Sequence, residues 1–215
     1  INEDFNLSTR YDFFKIAQSY LQTNRINGTY CEFGCHTGST FKMALRTIGL
    51  PFKPNKINRF YAFDSFEGMP EPEGIDKQKI WEKGLNTTSI EDFKKIFKKD
   101  LHRMKIVKGF YNEVLKDYKL ESGDKIAIAY IDCDYYSSTS DCLNFIDNKL
   151  LHGSLIVFDD WNCYYGDPKR GQRLAFDKFK QKKVDQYEFI DFFDIKSGGK
   201  SFIVLEKNKI GSEEL

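Results

Sequence analysis

Apolar positions fall into two alternating rhythms along this 215-residue chain. Over 10–22 (RYDFFKIAQSYLQ) they recur at helical spacing, which predicts an amphipathic helix. Short apolar runs at Gly28–Phe33, 60–63, 104–107, 125–131 and 154–158 read as strands. The last of these, SLIVF, is continuously apolar, as a strand buried on both faces should be. Between the strands, helical spacing returns over 39–48, 139–151 and 173–179. A further helix is predicted after Ser89, an N-cap residue that leads into Phe93, Ile96 and Phe97 on one face. Strands separated by helices predict an α/β fold with a doubly wound parallel sheet. The C-terminal end departs from that rhythm. Two apolar runs, Tyr187–Ile195 and 201–206, flank the short turn 196–200 with its Gly198-Gly199 pair, and so predict an antiparallel hairpin.

Two stretches lack any period. A polar loop with two prolines (LPFKPNKINR) precedes the second strand. The stretch 67–88 (EGMPEPEGIDKQKIWEKGLNTT) holds two prolines and three glycines. Loops beyond about 12–15 residues usually have a function of their own, and this one is expected to be an active-site lid. The length fits a single domain over 1–215, with 1–27 as an N-terminal helical extension.

Composition narrows the function classes. Lys plus Arg number 33 and Asp plus Glu 32, so the basic excess of a nucleic-acid binder is missing. No run approaches the roughly 20 apolar residues of a membrane span. The N-terminus lacks the basic start and apolar centre of a signal peptide. Five cysteines (Cys31, Cys35, Cys133, Cys142 and Cys163) are an odd count and no disulfide framework, so a reducing cytoplasm is expected.

The candidate chemistry gathers at predicted strand ends, where open α/β sheets bind ligands. The first strand runs into Glu32-Phe33-Gly34-Cys35-His36-Thr37-Gly38-Ser39-Thr40. Gly34 permits a tight turn, Gly38 lets a ligand approach, and Ser39 or Thr40 can cap the helix. The spacing is not GxGxxG and there is no P-loop lysine. Glu32 would repel a pyrophosphate and suits a cationic ligand such as S-adenosylmethionine; an ordinary strand–helix turn with Glu32 as a capping residue is the other reading. Asp64-Ser65 ends the second strand, where an acid can bind both ribose hydroxyls of an adenosine. Gly109-Phe110-Tyr111 ends the third, where an adenine ring would lie.

Asp132-Cys133-Asp134 ends the fourth strand and Asp159-Asp160 the fifth. Four neighbouring carboxylates raise their own pKa values by repulsion, which a divalent cation relieves. Oxygen-only ligands favour Mg²⁺, Mn²⁺ or Ca²⁺ over zinc. Capping and ion pairs to lysines are the alternative. A metal here would lower the pKa of a bound hydroxyl, and a nearby carboxylate would take its proton. Cys31, Cys35 and His36 lack the second cysteine pair of a zinc site.

The segments YCEFGCHTGST, FYAFDSFEGMPEP, IAYIDCDYYSSTSDCL and GSLIVFDDWN carry a resemblance over most of the chain. It resembles the macrocin O-methyltransferase family, metal-dependent enzymes that methylate sugar hydroxyls. The resemblance implies a Rossmann-like class I methyltransferase fold: a mostly parallel seven-stranded sheet closed by an antiparallel hairpin, with helices on both faces. It implies S-adenosylmethionine as cofactor, held at Glu32, Gly34, Gly38, Ser39, Asp64, Ser65, Gly109, Phe110 and Asp132. It implies Mg²⁺ (or Mn²⁺ or Ca²⁺) at Asp132, Asp159 and Asp160, with Asp132 and Asp134 catalytic and Asp134 as the general base. His36 departs from residue types common in the family's glycine turn, and 71–88 has no matched part. Trp81, Trp161, Tyr164 and Tyr165 are candidates either for stacking on a sugar or for plain packing.

Three functions stand at this stage: a sugar O-methyltransferase, a methyltransferase of a catechol-like or other small hydroxyl compound, and a non-catalytic adenosine-ligand-binding domain. The expected partner is a small-molecule or sugar acceptor, with no nucleic acid and no membrane insertion. Family relatives form dimers or larger assemblies, so a homo-oligomer stays open.

Overall fold

A computed structural model of the chain describes residues 3–49 and 57–211. Most of the expected proline-bearing loop, 50–56, lies outside the described residues. Seven strands form one sheet: β1 Gly28–Phe33, β2 Ile57–Asp64, β3 Met104–Lys108, β4 Ile126–Ile131, β5 Leu150–Phe158, β6 Tyr187–Ile195 and β7 Gly199–Glu206. Their order is β3-β2-β1-β4-β5-β7-β6, with every pair parallel as far as β5 and antiparallel at β5–β7 and β7–β6. The helices are α1 Glu3–Thr23, α2 Ser39–Thr47, α3 Ile90–Ile96, α4 Tyr111–Val114, α5 Tyr136–Ile146 and α6 Gly171–Lys182.

Strand alternation divides the core. Tyr30 and Tyr130 face α1, where Phe13 and Phe14 pack on the sheet and Phe14 stacks on Tyr130 at 5.8 Å between centroids. Phe33, Ile131 and Phe158 face the other side, against Phe145 of α5 and Phe176 of α6. Both faces are covered, so β1 and β4 are buried at every position. Each buried Phe stabilises the fold by about 1.5–3 kcal/mol relative to exposure.

The register has the largest consequence for the site. Phe33 pairs with Phe63 and with Ile131, and Ile131 pairs with Phe158. Four strands therefore run to one row, and the next residues, Gly34, Asp132 and Asp159 beyond their strands and Asp64 as the last residue of β2, follow at the same register.

Several element boundaries differ from expectation, most of them at the first residue of an element. Helix α5 occupies 136–146 rather than 139–151. Leu150 and Leu151 belong to β5, because Asn148 turns the chain at φ 62° and Leu150 pairs with Ile126. The four-residue α4 was not anticipated, being too short to display a helical period.

Candidate active site

The turn after β1 holds two glycines in the left-handed region. Gly34 has φ 90°, and a Cβ there would collide with the backbone of Asp132. Gly38 has φ 78° and lies against the rings of Phe93 and Phe97. Asp64 fixes the same turn. Its Oδ2 accepts from Cys35 N at 2.7 Å and His36 N at 3.0 Å, and its Oδ1 accepts from Phe66 N at 2.6 Å. Ser65 Oγ donates to Gly68 O at 2.8 Å, which shapes the start of the long loop.

Above this row of strand ends lies a cavity of about 870 Å³, in the range of small-ligand sites. Gly34, Ser39, Asp64, Ser65, Gly109 and Phe110 line one side of it. Asp132 and Asp134 line another, and loop residues from Gly68 to Asp76 line the outer wall together with Leu85 and Asn86.

Not every expected residue reaches the wall. Glu32 is fully buried and lies on the Tyr30 side of β1, as alternation requires. One of its oxygens accepts from Tyr30 Oη, and the other has no hydrogen-bond partner among the described residues. Burial pushes its carboxyl up to about 8. Glu32 is not among the residues that line the cavity, and neither is Gly38.

The acids come together as their strand ends dictate. Carboxylate oxygens of Asp132, Asp159 and Asp160 lie within 4.8 Å of one another, and those of Asp134 and Asp160 form a second such group with Cys163 Sγ. Asp134 N donates to Asp160 Oδ2 at 2.9 Å. Burial raises Asp132 and Asp160 well above the usual carboxylate range, and repulsion from neighbouring aspartates adds to it. Asp134 is pushed up to about 7, by burial first and then by Asp132. An all-oxygen cluster of three aspartates, in which burial and then mutual repulsion keep the carboxyls of Asp132 and Asp160 raised, fits a hard divalent cation.

Three residues that sequence reasoning missed complete the cluster. Arg10 of α1 donates through Nε to Asp159 Oδ1 at 2.9 Å, and again through a terminal nitrogen to Oδ2. Tyr130 Oη donates to Asp159 Oδ1. Gln172 is 1% exposed; its Oε1 accepts from Asp160 N at 2.9 Å and its Nε2 donates to Ile131 O at 3.0 Å. None of the three carries a local sequence signal, since Gln172 lies 12 positions from Asp160 and just before the helix expected over 173–179.

Of the candidate stacking aromatics, Trp81, Trp161 and Tyr164 pack against other rings. Trp81 and Tyr164 are buried edge to face at 4.7 Å, and Trp81 also meets Tyr135. Trp161 packs among Phe158, Phe176 and Phe202. Tyr165 is fully exposed, and none of the four lines the cavity. All five cysteines are free.

The family model of macrocin-O-methyltransferase (TylF) matches residues 8–193. Among curated proteins none matches the chain. The solved O-methyltransferase NovP is similar at a TM-score of 0.67 and 20% identity, covering 91% of this chain and 79% of its own. The calicheamicin methyltransferase CalS11 gives 0.66 at 21% identity, with 91% and 79% covered. TomG from Streptomyces achromogenes, an O-methyltransferase in complex with SAM, gives 0.56 at 12% identity, with 96% and 91% covered. At these identities the likeness concerns the fold: a Rossmann-like sheet of methyltransferase type.

Proposed function

The chain belongs to the macrocin O-methyltransferase family, and on that premise we propose that it transfers the methyl group of S-adenosylmethionine to a sugar hydroxyl, assisted by a divalent cation. One observation carries this reading: the strand register brings the glycine turn, Asp64, Asp132 and Asp134 to one cavity, with Asp159 and Asp160 grouped beside Asp132. The acceptor class rests on the family and on CalS11, a TDP-rhamnose 3'-O-methyltransferase.

S-adenosylmethionine, when bound, supplies an electrophilic methyl group on a sulfonium. Gly34, Ser39, Asp64, Ser65, Gly109, Phe110 and Asp132 would hold it, with Glu32 and Gly38 shaping the wall from behind. Asp132, Asp159 and Asp160 would hold Mg²⁺ or a similar ion, which supplies Lewis acidity to the acceptor hydroxyl. Asp134 lines the same cavity and takes the hydroxyl proton. The segment 67–88 forms the acceptor-side lid, and closure there keeps water from the reacting atoms. Aligning the acceptor oxygen with the methyl group contributes up to about 7–11 kcal/mol, by analogy with oriented intramolecular reactions. Among the described residues no helix is long and apolar enough to cross a membrane, consistent with a small-molecule or sugar acceptor met in water.

Titration calorimetry with S-adenosylhomocysteine tests the cofactor half. The expected result is binding that Asp64→Ala weakens on the order of tenfold or more, since the acid both orients the turn and faces the ribose. No binding by the intact protein would remove the methyltransferase reading.

A further inference from the structure

One residue with no part in the proposed reaction stands inside the acidic cluster. Arg10 projects from α1, and its side chain is 19% exposed. Two of its nitrogens engage the two oxygens of Asp159, and one of those oxygens also accepts from Tyr130. The terminal nitrogen bound to Asp159 lies 3.8 Å from Asp132 Oδ2, so it bridges two of the three carboxylates that converge there. Arg10 lines the cavity, whereas Asp159 does not.

We propose that Arg10 is the resident counter-cation of this site, and that a divalent ion must displace it from Asp159 before all three acids can bind the ion. The inference rests on Asp132, Asp159 and Asp160 being the metal set. Charge alone would permit both cations, because three carboxylates balance a guanidinium and a divalent ion. Space does not. Mg²⁺ or Ca²⁺ needs its oxygens at about 2.0–2.6 Å, in the gap that the bridging nitrogen fills. Two positive groups that close would also repel strongly in a buried setting. A guanidinium does not lose its proton at ordinary pH, so the exchange proceeds by movement of the side chain. Metal-free protein is thereby kept from carrying an uncompensated acidic cluster, and the metal is held less tightly than three buried carboxylates alone would hold it.

Manganese binding tests this without any acceptor or turnover. Free Mn²⁺ is followed by electron paramagnetic resonance while it is titrated into wild type, Arg10→Gln and Arg10→Lys. Arg10→Gln is expected to bind Mn²⁺ on the order of tenfold tighter than wild type. Arg10→Lys, a point charge that cannot bridge in two places, falls between them and serves if the glutamine variant does not fold. Added methylguanidinium should weaken Mn²⁺ binding to Arg10→Gln and leave wild type unchanged. Affinity that is equal or weaker in both variants overturns the counter-cation role while leaving the metal site intact. Absence of Mn²⁺ binding in all three proteins overturns the metal site itself, and this inference with it.

Discussion

Asp134 holds its backbone at φ 56°, in the left-handed region that few residues other than Gly, Asn and Asp visit readily. Asparagine keeps that backbone and the side chain's shape while losing the ability to take a proton. Asp134→Asn should therefore lower kcat by about 10²-fold or more while S-adenosylhomocysteine affinity stays near wild type, and full turnover by the variant would remove Asp134 as the base. Glu32 permits a prediction of stability against pH. Burial keeps its carboxyl protonated up to about 8 in the folded chain, whereas the ordinary value is 4.5. As pH rises between these values the unfolded state gives up the proton first, so folding stability falls through that window. Glu32→Gln removes this slope: its melting temperature relative to wild type should climb from about pH 5 to about pH 8. A constant difference across that range would contradict the burial of an ionisable Glu32. The acids of the site were legible because each directly follows an apolar run. Arg10 was not, because its partner Asp159 lies 149 positions away and nothing local marks the contact.

The long segment 67–88 and α5 are joined by a contact that also explains a misplaced boundary. Asp76 is 3% exposed, and its carboxylate accepts from Tyr136 N at 2.7 Å and Ser137 N at 3.2 Å. It thus caps α5 from 60 residues away, while Tyr135 at the helix's own N-cap position makes no side-chain cap. The start of α5 could not be read locally because its cap is not local. The start of α3 could: Ser89 Oγ accepts from Asp92 N at 3.0 Å, as the short-range pattern predicts. The same segment is fastened a second time where Tyr164 Oη donates to Asp76 O at 3.1 Å and Arg170 donates to the carbonyls of Ile75 and Lys77. Asp76→Ala should cost about 0.5–2 kcal/mol, as the loss of a helix cap does. It should also speed proteolytic cleavage within 67–88. Unchanged cleavage would mean that Asp76 does not hold this segment.

At the scale of the whole molecule, the site is a consequence of topology. The chain reverses its direction of travel across the sheet between β1 and β4, and ligands of open α/β sheets bind at such a switch point. The alternation of strands and helices made this architecture legible, and the C-terminal hairpin was legible from its Gly-Gly turn. The pairing register was not: the row Phe33, Phe63, Ile131 and Phe158 is fixed by packing between both helix layers, which no single segment encodes. The central claim is metal-assisted methyl transfer to a sugar hydroxyl, and its most direct test combines acceptor and metal in one assay. Labelled S-adenosylmethionine is supplied with a panel of nucleotide-linked and free sugars, first with EDTA and then with Mg²⁺ restored. The expected result is label on at least one sugar, lost in EDTA and regained with Mg²⁺. Label transferred at an undiminished rate in EDTA, or to none of the sugars with Mg²⁺ present, would contradict it.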